Sequence, residues 1–192
     1  MVCEMVLRDP TQCRRQIVDC PHPLALSETL MFASTIFQRF FVWTSCCCWS
    51  LALAWPGVVT HVSDGDTVWV QPTQGGEVHK VRLLGIDAPE ICQTWGPQSR
   101  DALHALLQGQ TVEVQGHHRD TYGRLLAQLS RHGHDVGAWM VAQGHAWSYS
   151  YQQQAGVYDA LQMQAQSQRR GLFADPRAMP PRWFRKRFGA CP

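Results

Sequence analysis

Four acidic side chains fall in two short, turn-like stretches of the chain. Asp64 and Asp66 flank a glycine in Ser63-Asp64-Gly65-Asp66, and Asp87 and Glu90 lie in Gly85-Ile86-Asp87-Ala88-Pro89-Glu90. Carboxylates that converge repel one another unless a cation sits between them. Hard oxygen donors of this kind suit Ca²⁺ or Mg²⁺ rather than zinc. Each stretch alone has a plainer explanation, because Asp-Gly and Asp-Ala-Pro are ordinary turn and loop sequences. Two arginines add a second kind of group. Arg82 interrupts the apolar run Val81-Arg82-Leu83-Leu84, and Arg124 follows Tyr122-Gly123. A guanidinium stays charged at any working pH and makes bidentate contacts to phosphate oxygens. Acids to hold a metal, a further glutamate to orient or deprotonate a water, and two arginines to stabilise charge on phosphorus oxygens are the parts phosphoryl chemistry requires. Salt bridges between these arginines and nearby acids are the alternative, and the residues alone leave both open. His117, His118, His132 and His134 are read as solvated loop histidines rather than metal ligands, and no Cys or His spacing matches a zinc site.

The elements that must position these groups can be read from periodicity and turn chemistry. β-rich runs at 58–62 and 67–70 flank the Asp-Gly turn and predict a hairpin. Residues 78–84, 111–115 and 124–130 read as three more strands. Pro97 opens a helix with Ala102, Leu103, Leu106 and Leu107 on one face, and Gly109 stops it. Asp135 is placed to cap a short helix that ends before Gly144, and a third helix is expected over 158–170, closed by Gly171. Trp139 and Trp147 read as core residues. Five strands and three helices in this order predict an α+β protein built on a five-stranded OB-fold β-barrel, a shape often used to bind oligonucleotides.

Three runs carry a family resemblance. Asp64-Gly65-Asp66-Thr67-Val68, Val81-Arg82-Leu83-Leu84-Gly85-Ile86-Asp87-Ala88-Pro89-Glu90 and Asp120-Thr121-Tyr122-Gly123-Arg124-Leu125-Leu126-Ala127 closely resemble the staphylococcal nuclease (thermonuclease, SNase-like) family, in its order and at compatible spacing. Gly144-His145-Ala146 and Arg170-Gly171-Leu172-Phe173 are similar to its later, less specific landmarks. The resemblance implies a nuclease that hydrolyses phosphodiester bonds of DNA, RNA or both, with one Ca²⁺ as cofactor and a monomeric chain. It implies that Asp66 and Asp87 bind the metal through side chains and Ala88 through its backbone carbonyl, with Asp64 supporting the site from behind. Arg82 and Arg124 would clamp the scissile phosphate, and Glu90 would act on the attacking water. Tyr122, Tyr149 and Tyr151 are candidates for the nucleotide pocket, with packing as the alternative for the last two. Water would attack phosphorus in line and leave 3′-phosphates. A silent OB-type binding module is the rival reading; such modules typically lack some of the acids or arginines that this chain keeps.

The ends of the chain differ from its middle. The stretch 40–54, FFVWTSCCCWSLALA, is apolar, uncharged and too short for a comfortable membrane span, which needs about 20 residues. It ends in Ala52-Leu53-Ala54, a pattern signal peptidase cuts. The expectation is a leader over 1–54 that starts functionally at Met31, with residues 1–30 a mis-assigned start, and with cleavage after Ala54 into a secreted or periplasmic protein free of the membrane. An uncleaved N-terminal anchor is the competing reading. Export would leave only Cys92 and Cys191 of the eight cysteines, and two thiols in an oxidising compartment usually pair. A Cys92–Cys191 disulfide would tie the tail back beside the segment after Glu90. The nuclease domain is expected over 55–175, ending at a Pro-rich stretch. The tail, 176–192, has five basic residues and no acidic one, against a net charge of +2 for the chain. It suits either a polyanion or simple solvation.

Overall fold

The computed structural model describes residues 54–151 and 154–191. The expected leader, apart from Ala54, lies outside the described residues. In chain order the elements are β1 (Trp55–Asp64), β2 (Thr67–Pro72), β3 (His79–Leu83), β4 (Ile86–Asp87), α1 (Gly96–Leu107), β5 (Thr111–Arg119), β6 (Leu125–Arg131), β7 (His134–Asp135), α2 (Val136–Ala142), β8 (Trp147–Ser148), α3 (Asp159–Ser167), a single 3₁₀ turn (Gly171–Ala174) and α4 (Pro181–Phe188).

Strands β3, β2, β1, β5 and β6 lie side by side in that order, and β3 pairs again with β6 in parallel, which closes the sheet into a five-stranded barrel of the OB type. Every other neighbouring pair in the barrel is antiparallel. Alternation of side chains across each strand fills the interior. Val59, Val68, Val70, Val81, Val112 and Val114 are all fully or almost fully buried. Leu103 and Leu107 of α1, with Val136, Met140 and Val141 of α2, complete the same core. A smaller cluster of Ala165, Leu172 and Phe173 sits under α3, where Trp147 meets Phe173 edge to face at 4.9 Å.

The Asp-Gly hairpin forms between β1 and β2, with Asp64 opposite Thr67. Its glycine is required by close approach: a Cβ at Gly65 would overlap the Ser99 hydroxyl of α1. That hydroxyl donates to the His145 carbonyl at 2.7 Å, so the hairpin, α1 and the loop after α2 lock at one point. Pro97 lies in the first turn of α1, and the Asp135 carboxylate accepts the Ala138 amide at 3.0 Å to cap α2.

Three differences from the expected layout stand out. There are four helices among the described residues rather than three: the stretch after the Pro-rich run, read as the end of the domain, opens α4 with Pro181 in its first turn. Two short strands, β4 and β8, pair with each other outside the barrel. Trp139, expected in the core, is 36% exposed and stacks on His145 at 5.7 Å. The tail is held against the body. Cys92 and Cys191 form a disulfide with Cα atoms 5.7 Å apart, and Gln93 Nε2 donates to the Met179 carbonyl at 2.6 Å. Phe184 and Phe188 of α4 face a hollow also lined by Trp95, Trp147 and Leu172. No helix among the described residues is long and apolar enough to cross a membrane.

Candidate active site

Strand pairing brings the two acidic turns together. β3 runs between β2 and β6, so Arg82 lies opposite Thr67 on one side and opposite Leu126 on the other. The Leu83 amide donates to the Asp66 carbonyl at 2.8 Å, which fixes the hairpin turn beside β3. Because β3 alternates, Val81 and Leu83 point into the core while Lys80 and Arg82 point the other way, into a cleft of about 490 Å³. Asp64, Asp66, Ala88, Glu90, Tyr122 and Arg124 line the same cleft.

Within it, Arg82 joins the two acidic turns. Its Nη1 is paired with Asp66 Oδ2 and its Nη2 with Asp87 Oδ1 at 3.0 Å. Asp66 and Asp87 are each only 4% exposed. Asp66 also accepts the Thr67 hydroxyl at 3.0 Å and the Ala88 amide at 2.8 Å, and Asp64 Oδ1 accepts the Asp66 amide at 2.9 Å. Burial pushes the Asp64 carboxyl above its ordinary pKa, with the Arg82 charge opposing. Burial also lowers Arg82, against the pull of Asp87 and Asp64. Both shifts follow from charge confined in a dry place.

Arg124 is positioned by a different device. The turn 120–124 between β5 and β6 closes on Asp120, whose Oδ1 accepts the amides of Tyr122 and Arg124, each at 2.9 Å. Asp120 Oδ2 accepts Arg124 Nε at 2.7 Å and so aims the guanidinium along the cleft. Desolvation works upward on Asp120, but these hydrogen bonds outweigh it and hold the carboxyl below its ordinary value. Gly123, at φ 76°, takes the left-handed position that the turn needs.

One cation in the site was not expected from the sequence. Arg185, from α4, forks onto both oxygens of Asp87 at 3.2 and 3.1 Å and meets Glu90 Oε1 at 2.7 Å. Partial burial works against its charge, yet hydrogen bonds to Asp87 and Glu90 raise its pKa above the ordinary value. Lys80 is a second unforeseen basic residue of the cleft. The signal for Lys80 was its spacing: it lies two residues from Arg82 in a strand. For Arg185 the only signal was the expected disulfide, which draws the tail towards Glu90.

The tyrosines divide. Tyr122 lines the cleft, is 84% exposed and lies over the Arg124 guanidinium at 5.4 Å. Tyr149 lines an adjoining groove together with Arg82, Asp87, Arg124 and Arg185. Tyr151 is exposed and is not among the residues that line the cleft.

Whether this donor set suits a divalent cation can be judged from Arg82. One planar guanidinium touches both Asp66 and Asp87, so their oxygens converge on one positive group. All the acidic ligands are hard oxygens, as Ca²⁺ and Mg²⁺ prefer. No group of three or more His, Cys, Asp or Glu side chains is arranged to hold a metal among the described residues. A cation there would therefore take part of its coordination from backbone oxygen, water or substrate. On those terms the residues fit one.

A closed OB-type barrel with clustered acids and arginines in a cleft at its surface defines a protein suited to binding phosphate groups. The chain belongs to the staphylococcal nuclease family: residues 80–175 match the family model described as staphylococcal nuclease homologue. It is 39% identical over 132 residues to an uncharacterized endonuclease of Escherichia coli O157:H7, covering 68% of this chain and 85% of that one. A micrococcal nuclease of Shigella flexneri is 37% identical over 142 residues, covering 67% and 80%. An uncharacterized endonuclease of Haemophilus influenzae is 35% identical over 128 residues, covering 67% and 71%.

Proposed function

We propose that this protein is an exported, Ca²⁺-dependent nuclease that hydrolyses phosphodiester bonds of DNA, RNA or both. The observation that carries the reading is Arg82, which joins Asp66 to Asp87 and lines one cleft with Asp66, Glu90 and Arg124. The names of the relatives, endonuclease and micrococcal nuclease, support its nuclease part.

Asp66 and Asp87 would hold the cation, with the Ala88 carbonyl beside them and Asp64 orienting Asp66 through its amide. When bound, the cation supplies positive charge to the phosphoryl oxygens and lowers the cost of their growing negative charge. Arg82 and Arg124 would bind the scissile phosphate from two sides, and Arg124 is already oriented for this by Asp120. Glu90 takes a proton from the attacking water or holds it in line. The 5′-oxygen leaves, and the product carries a 3′-phosphate. Tyr122 and Tyr149 form the walls beside the nucleotide. Export rests on the apolar stretch before Trp55, where β1 begins, so a cut after Ala54 would leave the barrel whole. N-terminal sequencing of the exported form should read Trp55 first.

The test is cleavage of single-stranded DNA by the purified chain, with Ca²⁺ and with a chelator, beside Glu90→Gln. The expected result is cutting that needs the cation and falls by several orders of magnitude in Glu90→Gln, on the scale general-base groups contribute (about 10²–10⁴-fold or more). A folded chain that cuts nothing with Ca²⁺, Mg²⁺ or Mn²⁺ would leave the silent binding module as the better reading.

A further inference from the structure

Helix α4 lies beyond residues 80–175, the stretch matched to the family, yet it reaches the cleft. Four of its eight residues are basic (Arg182, Arg185, Lys186 and Arg187) and none is acidic. Its faces do different things. Pro181 is buried, Phe184 turns towards the body, and Phe188 lines the same hollow as Phe184 but stays 60% exposed. Arg185 grips Asp87 and Glu90. Trp183 stands outward, 51% exposed, with Arg182 at 5.3 Å and Lys186 at 5.5 Å from its ring.

Trp183 lies on a different side of α4 from Phe184 and Phe188, which line the hollow against the body, so the packing of that side does not account for it. It also stands over an opening. Asp87, Tyr149, Gln162, Pro181, Arg182 and Trp183 line a groove of about 270 Å³. Asp87 and Tyr149 belong both to this groove and to the one that contains Arg82, Arg124 and Arg185. The two adjoin at Asp87 and Tyr149, so a strand whose phosphate lies on Arg82 and Arg124 can run past the exposed Tyr149 to α4.

We propose that α4 forms the outer wall of a groove for single-stranded nucleic acid, in which Trp183 stacks on a base one or more nucleotides from the cleaved bond while Arg182 and Lys186 hold the backbone. The chemistry is that of single-strand readers: an aromatic face tolerates any base, and flanking cations follow the phosphates. Arg185 and the Cys92–Cys191 disulfide keep α4 in place from its two sides. Anionic membrane surface is the other polyanion that a basic, Trp-bearing helix can meet. The neighbouring groove with Arg82 and Arg124 favours nucleic acid, since it would place the phosphates of the same strand.

This groove rests on the nuclease reading for its position, but its test reads binding rather than cleavage. The full chain, in chelator, is titrated with a fluorescein-labelled single-stranded oligonucleotide of about a dozen nucleotides, on the scale of one OB-type site. Trp183→Ala should weaken Kd about tenfold, in the range of one missing base stack, and Trp183→Phe should recover most of that affinity. Arg182→Gln with Lys186→Gln should weaken binding and flatten its salt dependence, by about 0.7 in slope for each phosphate no longer neutralised. Unchanged melting temperatures show that the variants fold. Equal Kd for wild type and Trp183→Ala overturns the groove. So does loss of binding to phosphatidylserine vesicles in that variant with oligonucleotide binding intact. Adding Ca²⁺ to the same samples separates the two claims. Cleavage with no effect of Trp183→Ala on Kd removes the groove alone, and weakened binding with no cleavage by any sample removes the nuclease reading alone.

Discussion

In the proposed nuclease Arg82 would have two duties that a substitution cannot separate by activity alone. Its side chain is 16% exposed, and it is the cation between Asp66 and Asp87. Removing one partner of a buried ion pair typically costs about 3–5 kcal/mol, because the other charge is left unpaired. Here Asp66 would lose its cation while Asp87 keeps Arg185, so Arg82→Ala should lower stability as well as cleavage. The same reasoning gives a sharper expectation. If Asp66 and Asp87 are the cation ligands, taking the guanidinium from between them removes a repelling charge and strengthens cation binding. Ca²⁺ should then raise the melting temperature of Arg82→Ala by more than it raises that of the wild type, since stabilisation grows with ligand concentration over Kd. Scanning calorimetry across a Ca²⁺ series reads this directly. An equal or smaller rise in the variant would place the cation elsewhere. Glu90 is the cleaner probe of chemistry, because its side chain pairs with Arg185 at the rim rather than with a buried group.

At the scale of elements, α2 shows how one side chain joins several parts of the fold. Asp135 caps the helix through Oδ1, and its Oδ2 accepts the Tyr158 hydroxyl and Gln128 Nε2, each at 2.7 Å. Burial, then the hydrogen bond to Asp135 and its charge, push the Tyr158 phenol above its ordinary pKa. Asp135→Ala should cost about 1–2 kcal/mol for the cap alone and more for the stranded hydroxyl. Tyr158→Phe should recover part of that second cost in the double variant, and urea denaturation of the four proteins measures it; strictly additive effects would show that the pair is not coupled. Asp135 was legible in the sequence because caps have a local signature. The same holds for the Asp-Gly hairpin, for Pro97 at the start of α1, and for the strands whose valines alternate. What was not legible needed contacts between distant segments. β4 and β8 are two residues each, and they exist only because Ile86 meets Ser148 across the fold. α4 has few apolar residues to mark a period, and its Pro-rich approach reads as a boundary rather than a start. Arg185 follows the same rule: nothing near it in sequence is acidic, and its partners are 95 and 98 residues away.

Those separations make the tail a matter for the whole molecule. The Cys92–Cys191 bond spans 99 residues, most of the described chain, and cross-linking a loop of that length restricts the unfolded chain by about 4–5 kcal/mol in the simple entropic account. Measured gains are commonly nearer 2–4 kcal/mol, so Cys92→Ser with Cys191→Ser should lower unfolding stability by about that amount. The effect should be uneven. The barrel keeps its core and its closure between β3 and β6, neither of which involves the tail. α4 keeps only the Gln93–Met179 hydrogen bond, the Arg185 ion pairs and the packing of Phe184 and Phe188. The Arg185–Glu90 pair is exposed and worth at most about 1 kcal/mol, and even with the fork onto buried Asp87 these contacts are few beside the barrel core, so the helix should open locally before the barrel does. Limited trypsin digestion of the variant should therefore cut first among Arg182, Arg185, Lys186 and Arg187 and leave the barrel as a resistant fragment, while the oxidised wild type resists at both places. Equal urea midpoints and equal digestion rates for the two proteins would mean that noncovalent contacts alone dock α4. If the tail does open, Trp183 leaves its groove as Arg185 leaves the cleft, and the same variant should bind single-stranded oligonucleotide more weakly with every barrel residue intact.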